Sequence, residues 1–66
     1  MDDDFEISYS VEVDGLIVQA ISFDWGHEYR ILKDGHELIR SKEEYGQTGI
    51  ALRDGLIKAT DPLWLF

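Results

Sequence analysis

There is no cysteine in this 66-residue chain, so neither a disulfide nor a thiolate zinc site can brace it. Basic residues are missing from the whole first part. Between Met1 and Glu28 there are eight acidic residues (Asp2, Asp3, Asp4, Glu6, Glu12, Asp14, Asp24, Glu28) and no lysine or arginine. The remainder, Tyr29 to Phe66, carries six of each sign, so the net charge of −8 resides in the first part. Phosphate binding needs clustered Lys and Arg, which argues against nucleic acid as a ligand. No apolar run approaches the roughly 20 residues of a membrane-spanning helix. The start, Met1-Asp2-Asp3-Asp4, has the wrong sign for a secretory signal. A cytoplasmic protein with no membrane partner is expected, its acidic leader (residues 1–4) frayed.

A chain of this length forms a single domain (1–66) and buries only about 60% of its unfolded surface. Small domains usually need a disulfide, a metal or a partner chain. Histidine occurs only at His27 and His36, too sparsely for a metal centre. No cofactor or metal is expected, and a partner chain is the brace left by elimination.

What is present is turn punctuation. Asp14-Gly15, Asp34-Gly35 and Asp54-Gly55 are evenly spaced, and Asp-Gly favours a two-residue hairpin turn because both positions must take positive φ. Phe5, Ile7, Tyr9, Val11 and Val13 alternate with polar residues, the period of a strand with one buried face. A turn at Asp14-Gly15 pairs Val13 with Leu16, Val11 with Val18 and Tyr9 with Ala20 on one apolar face. Ile17, Ile21 and Phe23 then fall on the other face, among Glu6, Ser8, Ser10, Glu12 and Gln19. A wet face should not carry three large apolar residues, so either a bulge shifts the register or that face is partly covered. Asp24 to His27 reads as a connection. Residues 28–33 and 36–41 flank the second turn, with Ile31 facing Leu38, Arg30 facing Ile39, and Arg30 diagonal to Glu37.

Asp54-Gly55 is ambiguous. Residues 53–57 (RDGLI) echo residues 13–17 (VDGLI), which suggests a third hairpin. Ser41-Lys42-Glu43-Glu44 matches a capping box, though Gly46 follows soon after. Thr48 is a second candidate N-cap, and from it Ala51, Leu52, Gly55, Leu56 and Ala59 share one helical face, with the single proline, Pro62, as a stop.

Residues 29–59 also resemble the small bacterial DUF1508 (YegP-like) hairpin–helix domains, through Tyr29, Arg30, Gly35, Ser41, Tyr45, Ala51, Gly55 and Leu56. The spacing from Tyr45 to Gly55 is slightly longer than in that pattern, and the first hairpin and Trp64-Leu65-Phe66 lie outside it. The resemblance implies a hairpin followed by a helix, and it implies no catalytic residues. The expected fold is therefore α+β: an antiparallel four-stranded meander of two Asp-Gly hairpins covered on one face by a C-terminal helix. The alternative is all-β, with a third hairpin at Asp54-Gly55.

Candidate chemistry is sparse. Asp24-Trp25-Gly26-His27-Glu28 gathers a carboxylate, an indole and an imidazole, but so short a loop rarely encloses an ion, and a surface histidine is the simpler reading. His36 is expected at a hairpin tip. Ser8, Ser10 and Ser41 lack an activating context, and the glycines form no phosphate loop. A non-enzymatic domain is expected. Ile50 and Ile57, seven apart, fall opposite the apolar face of the helix, and the chain closes on Trp64 and Phe66. These four residues are the candidate interaction surface of a self-associating module with a protein partner, most simply a second copy. The simpler alternative has the tail folding back over the core. A different class of function is an acidic inhibitor that mimics nucleic acid; Glu6 and Glu12 share a face in the simple register, but Ser8, Ser10 and Ile17 interrupt the array.

Overall fold

The computed structural model describes residues 5–41 and 44–61. Strands β1 (Glu6–Val13), β2 (Leu16–Phe23), β3 (Gly26–Lys33) and β4 (His36–Arg40) form an antiparallel sheet in chain order, and helix α1 (Thr48–Ala59) packs on one face. This is the α+β meander, with the hairpin-then-helix order over residues 29–59. The all-β alternative is ruled out, because Asp54 and Gly55 lie inside α1.

Both expected turns form. Asp14 and Gly15 have φ of 52° and 79°, and Asp34 and Gly35 have 53° and 82°, the paired positive values of a turn whose twist matches the strands. Nothing lies within 4 Å of a Cβ added at Gly15 or Gly35, so alanine there is opposed by backbone conformation alone. Each Gly→Ala change should destabilise by about 1 kcal/mol, read as a lowered melting temperature.

The middle connection is tighter than expected. Phe23 pairs with Gly26, so Asp24-Trp25 is itself a two-residue link, and β3 begins before Glu28. No Asp-Gly marks it, which is why the residues before Glu28 read as loop.

Two register shifts also correct the simple pairing. Val13↔Leu16, Val11↔Val18 and Tyr9↔Ala20 hold, but Ile7 then pairs with Ile21, which leaves Ser8 as the extra residue of a bulge in β1. In the second hairpin Ile31 pairs with Ile39 and Arg30 with Arg40, so Leu38 is extra in β4 and does not face Ile31. The shift puts Ile39 in the core, where it packs against Ile31 and its neighbours. Ser41 continues this line: its N–H donates to the Tyr29 carbonyl at 2.9 Å, and its Oγ accepts from the Tyr29 N–H at 3.2 Å. Tyr45 then pairs with His27 through two backbone hydrogen bonds of 2.8 and 3.1 Å. Ser41 therefore belongs to the sheet edge and does not open a helix.

The helix starts later. Gln47 is its N-cap, with extended φ and ψ of −138° and 140° and no side-chain cap bond, and Thr48 is already helical. Gln47→Asp should stabilise the domain by about 1 kcal/mol in chemical denaturation, since a carboxylate there would accept from the free N–H groups of the first turn.

The core is small. Leu16, Val18, Ile31 and Ala59 form its centre, flanked by Val13, Tyr29, Ile39, Leu52 and Leu56. The helix presents Ala51, Gly55 and Ala59 to the sheet. With no large side chain on that stripe, its backbone approaches β2 and β3 closely. A Cβ on Gly55 would fall 2.8 Å from Val18 Cγ1 and 3.0 Å from Tyr29 Cβ.

The question of Ile17, Ile21 and Phe23 has a double answer: there is a bulge, and the second face is partly covered. Ile21 is fully buried. Phe5 contacts Phe23 (ring centroids 5.4 Å apart) and lies under the Arg30 and Arg40 guanidinium groups, 4.9 and 5.6 Å from its ring centre. Arg30 also donates to Gln19 at 2.8 Å, and Arg30 and Arg40 both donate to Glu37. This small roof of aromatic rings and arginine planes is a second, satellite cluster.

Candidate functional site

A helix with its side chains is about 10–12 Å wide, whereas four strands about 4.8 Å apart span more. One helix therefore cannot cover this sheet. It lies over β2 and β3 and reaches only the margin of β1. Tyr9 and Val11, on the helix-facing side of β1, remain 50% and 37% exposed. The expectation that they share a buried face with Val18 and Ala20 holds for the register but not for burial.

The helix sets small residues closest to the sheet and packs Leu52 and Leu56 at the margin of the core. Its buried residues are Ala51, Gly55 and Ala59, while Ile50 and Ile57 face outward, 38% and 60% exposed. Ile57, the more exposed of the two, contributes little to the chain's own core. Trp64 and Phe66, the other members of the expected surface, lie outside the described residues. The structure puts Ile50 and Ile57 on one outward face of α1 and, apart from it, leaves Tyr9 and Val11 half-exposed on strand β1. Sequence reasoning missed the latter two because alternation alone reads them as core. The turn residues Asp14, Gly15, Asp34 and Gly35 stand at exposed hairpin tips.

The polar candidates are less developed. His27 is not a surface-loop residue: it lies in β3, half-buried, with Nδ1 2.9 Å from Ser22 Oγ, which in turn lies 2.6 Å from Ser8 Oγ. This chain of hydroxyls and imidazole ties the β1 bulge to β2 and β3. Trp25 stacks on Phe23, centroids 4.4 Å apart, and is 55% exposed. A shallow depression of about 350 Å³ beside it is lined by Phe5, Glu6, Ser22, Phe23 and Asp24. His36 is exposed beside its turn, as expected. Among the described residues no group of His, Asp and Glu is placed to hold a metal ion, and no helix is long and apolar enough to cross a membrane.

The bulge also separates the two carboxylates of β1. Glu6 pairs with Ser22 and Glu12 with Ile17, positions of opposite parity on β2. They lie on opposite faces of the sheet, contrary to the simple register.

No family model, no curated protein and no solved structure matches this chain.

Proposed function

We propose that the chain is a small non-enzymatic protein-interaction module that self-associates through the outward face of α1. The observation that carries this reading is the pair Ile50 and Ile57, exposed on the side of α1 away from Ala51, Gly55 and Ala59. A helix selected only to cap its own sheet would turn its isoleucines inward, since each buried aliphatic side chain contributes about 1.5–3 kcal/mol. A second copy packing Ile50 and Ile57 against the same residues across a two-fold axis would recover that burial. Trp64 and Phe66 are proposed to extend the contact. The thin core and the absence of cysteine supply the need for such a brace.

The competing proposal, an acidic mimic of nucleic acid, needs carboxylates arrayed along one face. Glu6 and Glu12 on opposite faces give it less support than self-association has. The resemblance of residues 29–59 to DUF1508-like domains is compatible with either reading, because it implies no chemistry.

Size-exclusion chromatography with light scattering at low and high salt tests the proposal. Apolar association should give a dimer whose mass is insensitive to salt, whereas contact through the acidic N-terminal part would weaken as salt rises. A monomer at every concentration would overturn it.

A further inference from the structure

Among the described residues strand β1 is an edge of the sheet, and its side facing away from β2 has backbone groups to offer. Asp14-Gly15 is a two-residue turn, so Val13 and Leu16 exchange backbone hydrogen bonds, and alternation directs the N–H and C=O groups of Ser10 and Glu12 away from β2. From Tyr9 to Val13 the pairing is regular, so among the described residues this stretch is an open strand template. On the helix side, Tyr9 and Val11 supply half-exposed apolar surface beside it.

Natural edges are usually blunted, often by lysine, proline or a bulge. The other edge, β4, is blunted: Leu38 bulges out of it, and Glu37 and Arg40 beside the bulge are paired to one another. In β1 the bulge at Ser8 stops short of Tyr9–Val13, and that stretch holds neither lysine nor proline.

Charge selects the occupant. Glu6, Glu12 and Asp14 belong to the β1 hairpin, and its sequence contains no basic residue. Two β1 strands paired across a two-fold axis would bring like charges together, which opposes a second copy at this site. A β4 strand from another copy would bring its own bulge and would build an open chain of subunits, not a closed pair.

We infer that the β1 edge between Tyr9 and Val13 is a docking site for a basic extended segment of another protein, added to the sheet as a further strand. Its backbone hydrogen-bonds to Ser10 and Glu12. Its apolar side chains lie beside Tyr9 and Val11, and its lysine or arginine side chains reach Glu12 and Asp14. Its residues belong to β1, whereas the proposed self-association contact is on α1, so the two can be altered independently.

A short synthetic peptide alternating lysine with valine is the probe, with its glutamate–valine counterpart as the control. Amide hydrogen exchange by NMR reads the edge directly: on adding the lysine peptide, the Ser10 and Glu12 amides should slow by about tenfold or more, and high salt should weaken binding. Glu12→Lys should weaken binding at least about tenfold while leaving the amide spectrum of the core in place. Ile57→Asp should leave peptide binding unchanged even if it alters the oligomeric state, which separates this site from the self-association contact. The inference fails if the lysine peptide does not bind at low salt, if the glutamate peptide binds equally well, or if the shifts fall on α1 instead. It also fails if the Ser10 and Glu12 amides are already protected in the free protein, since the edge would then be occupied by the chain itself.

Discussion

Alanine at Gly55 should destabilise the domain by about 1 kcal/mol net, whereas the same change at Gly49, in the same helix, should stabilise it by a similar amount. Both changes gain the roughly 1 kcal/mol of helix propensity that separates alanine from glycine. They differ in what the new methyl group meets. At Gly49 there is nothing within 4 Å, but at Gly55 the methyl would press on Val18 Cγ1 at 2.8 Å and Tyr29 Cβ at 3.0 Å. Val18 is fully buried and cannot move aside without displacing the sheet, so the helix must lift, and overpacking of this kind costs about 1–3 kcal/mol. Gly55→Leu adds a branched side chain to the same contact and should leave the chain unfolded, because so small a core cannot absorb the separation. Thermal melts of the two alanine variants decide the matter. For a domain of this size 1 kcal/mol corresponds to about 4–8 °C, and the two shifts should have opposite signs. Equal upward shifts would mean that Gly55 is not seated against β2 and β3.

Under the proposed self-association through α1, Ile57→Asp should shift the protein from dimer to monomer. A carboxylate placed in a desolvated contact loses hydration without gaining a partner, and truncation of a central apolar anchor typically costs about 2 kcal/mol or more, at least a thirtyfold weakening. Ile57 is 60% exposed in the single chain, so the substitution removes little from the chain's own core and the monomer should keep its circular dichroism and melting behaviour. Light scattering of parent and variant across a concentration series reads the effect. Trp64→Ala should shift the equilibrium the same way, while neutralising Asp2, Asp3 and Asp4 should leave it unchanged. A variant that stays dimeric would move the contact away from the helix.

Much of the architecture was legible because it is set by short stretches of chain. Asp14-Gly15 and Asp34-Gly35 make their turns from their own backbone preferences, and a Cβ added at either glycine would meet nothing within 4 Å. The apolar spacing through Ala51, Leu52, Gly55, Leu56 and Ala59 marks the inner side of α1, and Ile50 and Ile57 the outer, because helical period alone assigns those faces.

What was not legible depends on neighbours distant in sequence. The Ser8 bulge sets Ile7 opposite the buried Ile21, and the Leu38 bulge seats Ile39 beside the core, pairings that no window along one strand contains. The tight Asp24-Trp25 link, the Tyr45 bridge to His27 and the exposure of Tyr9 are likewise properties of the assembled sheet and of a helix too narrow to cover it.

The same dipeptide shows the division most plainly. At residues 14–15 and 34–35 Asp-Gly forms a positive-φ hairpin turn from its local preference, because the strand-forming runs on either side leave the pair free to follow it. The sequence alone could not determine the conformation of Asp54-Gly55. There Gly55 is helical because the absence of a side chain lets the helix backbone lie against Val18 and Tyr29. Only the tertiary structure supplies that contact, and the packing it permits outweighs the local preference for a turn.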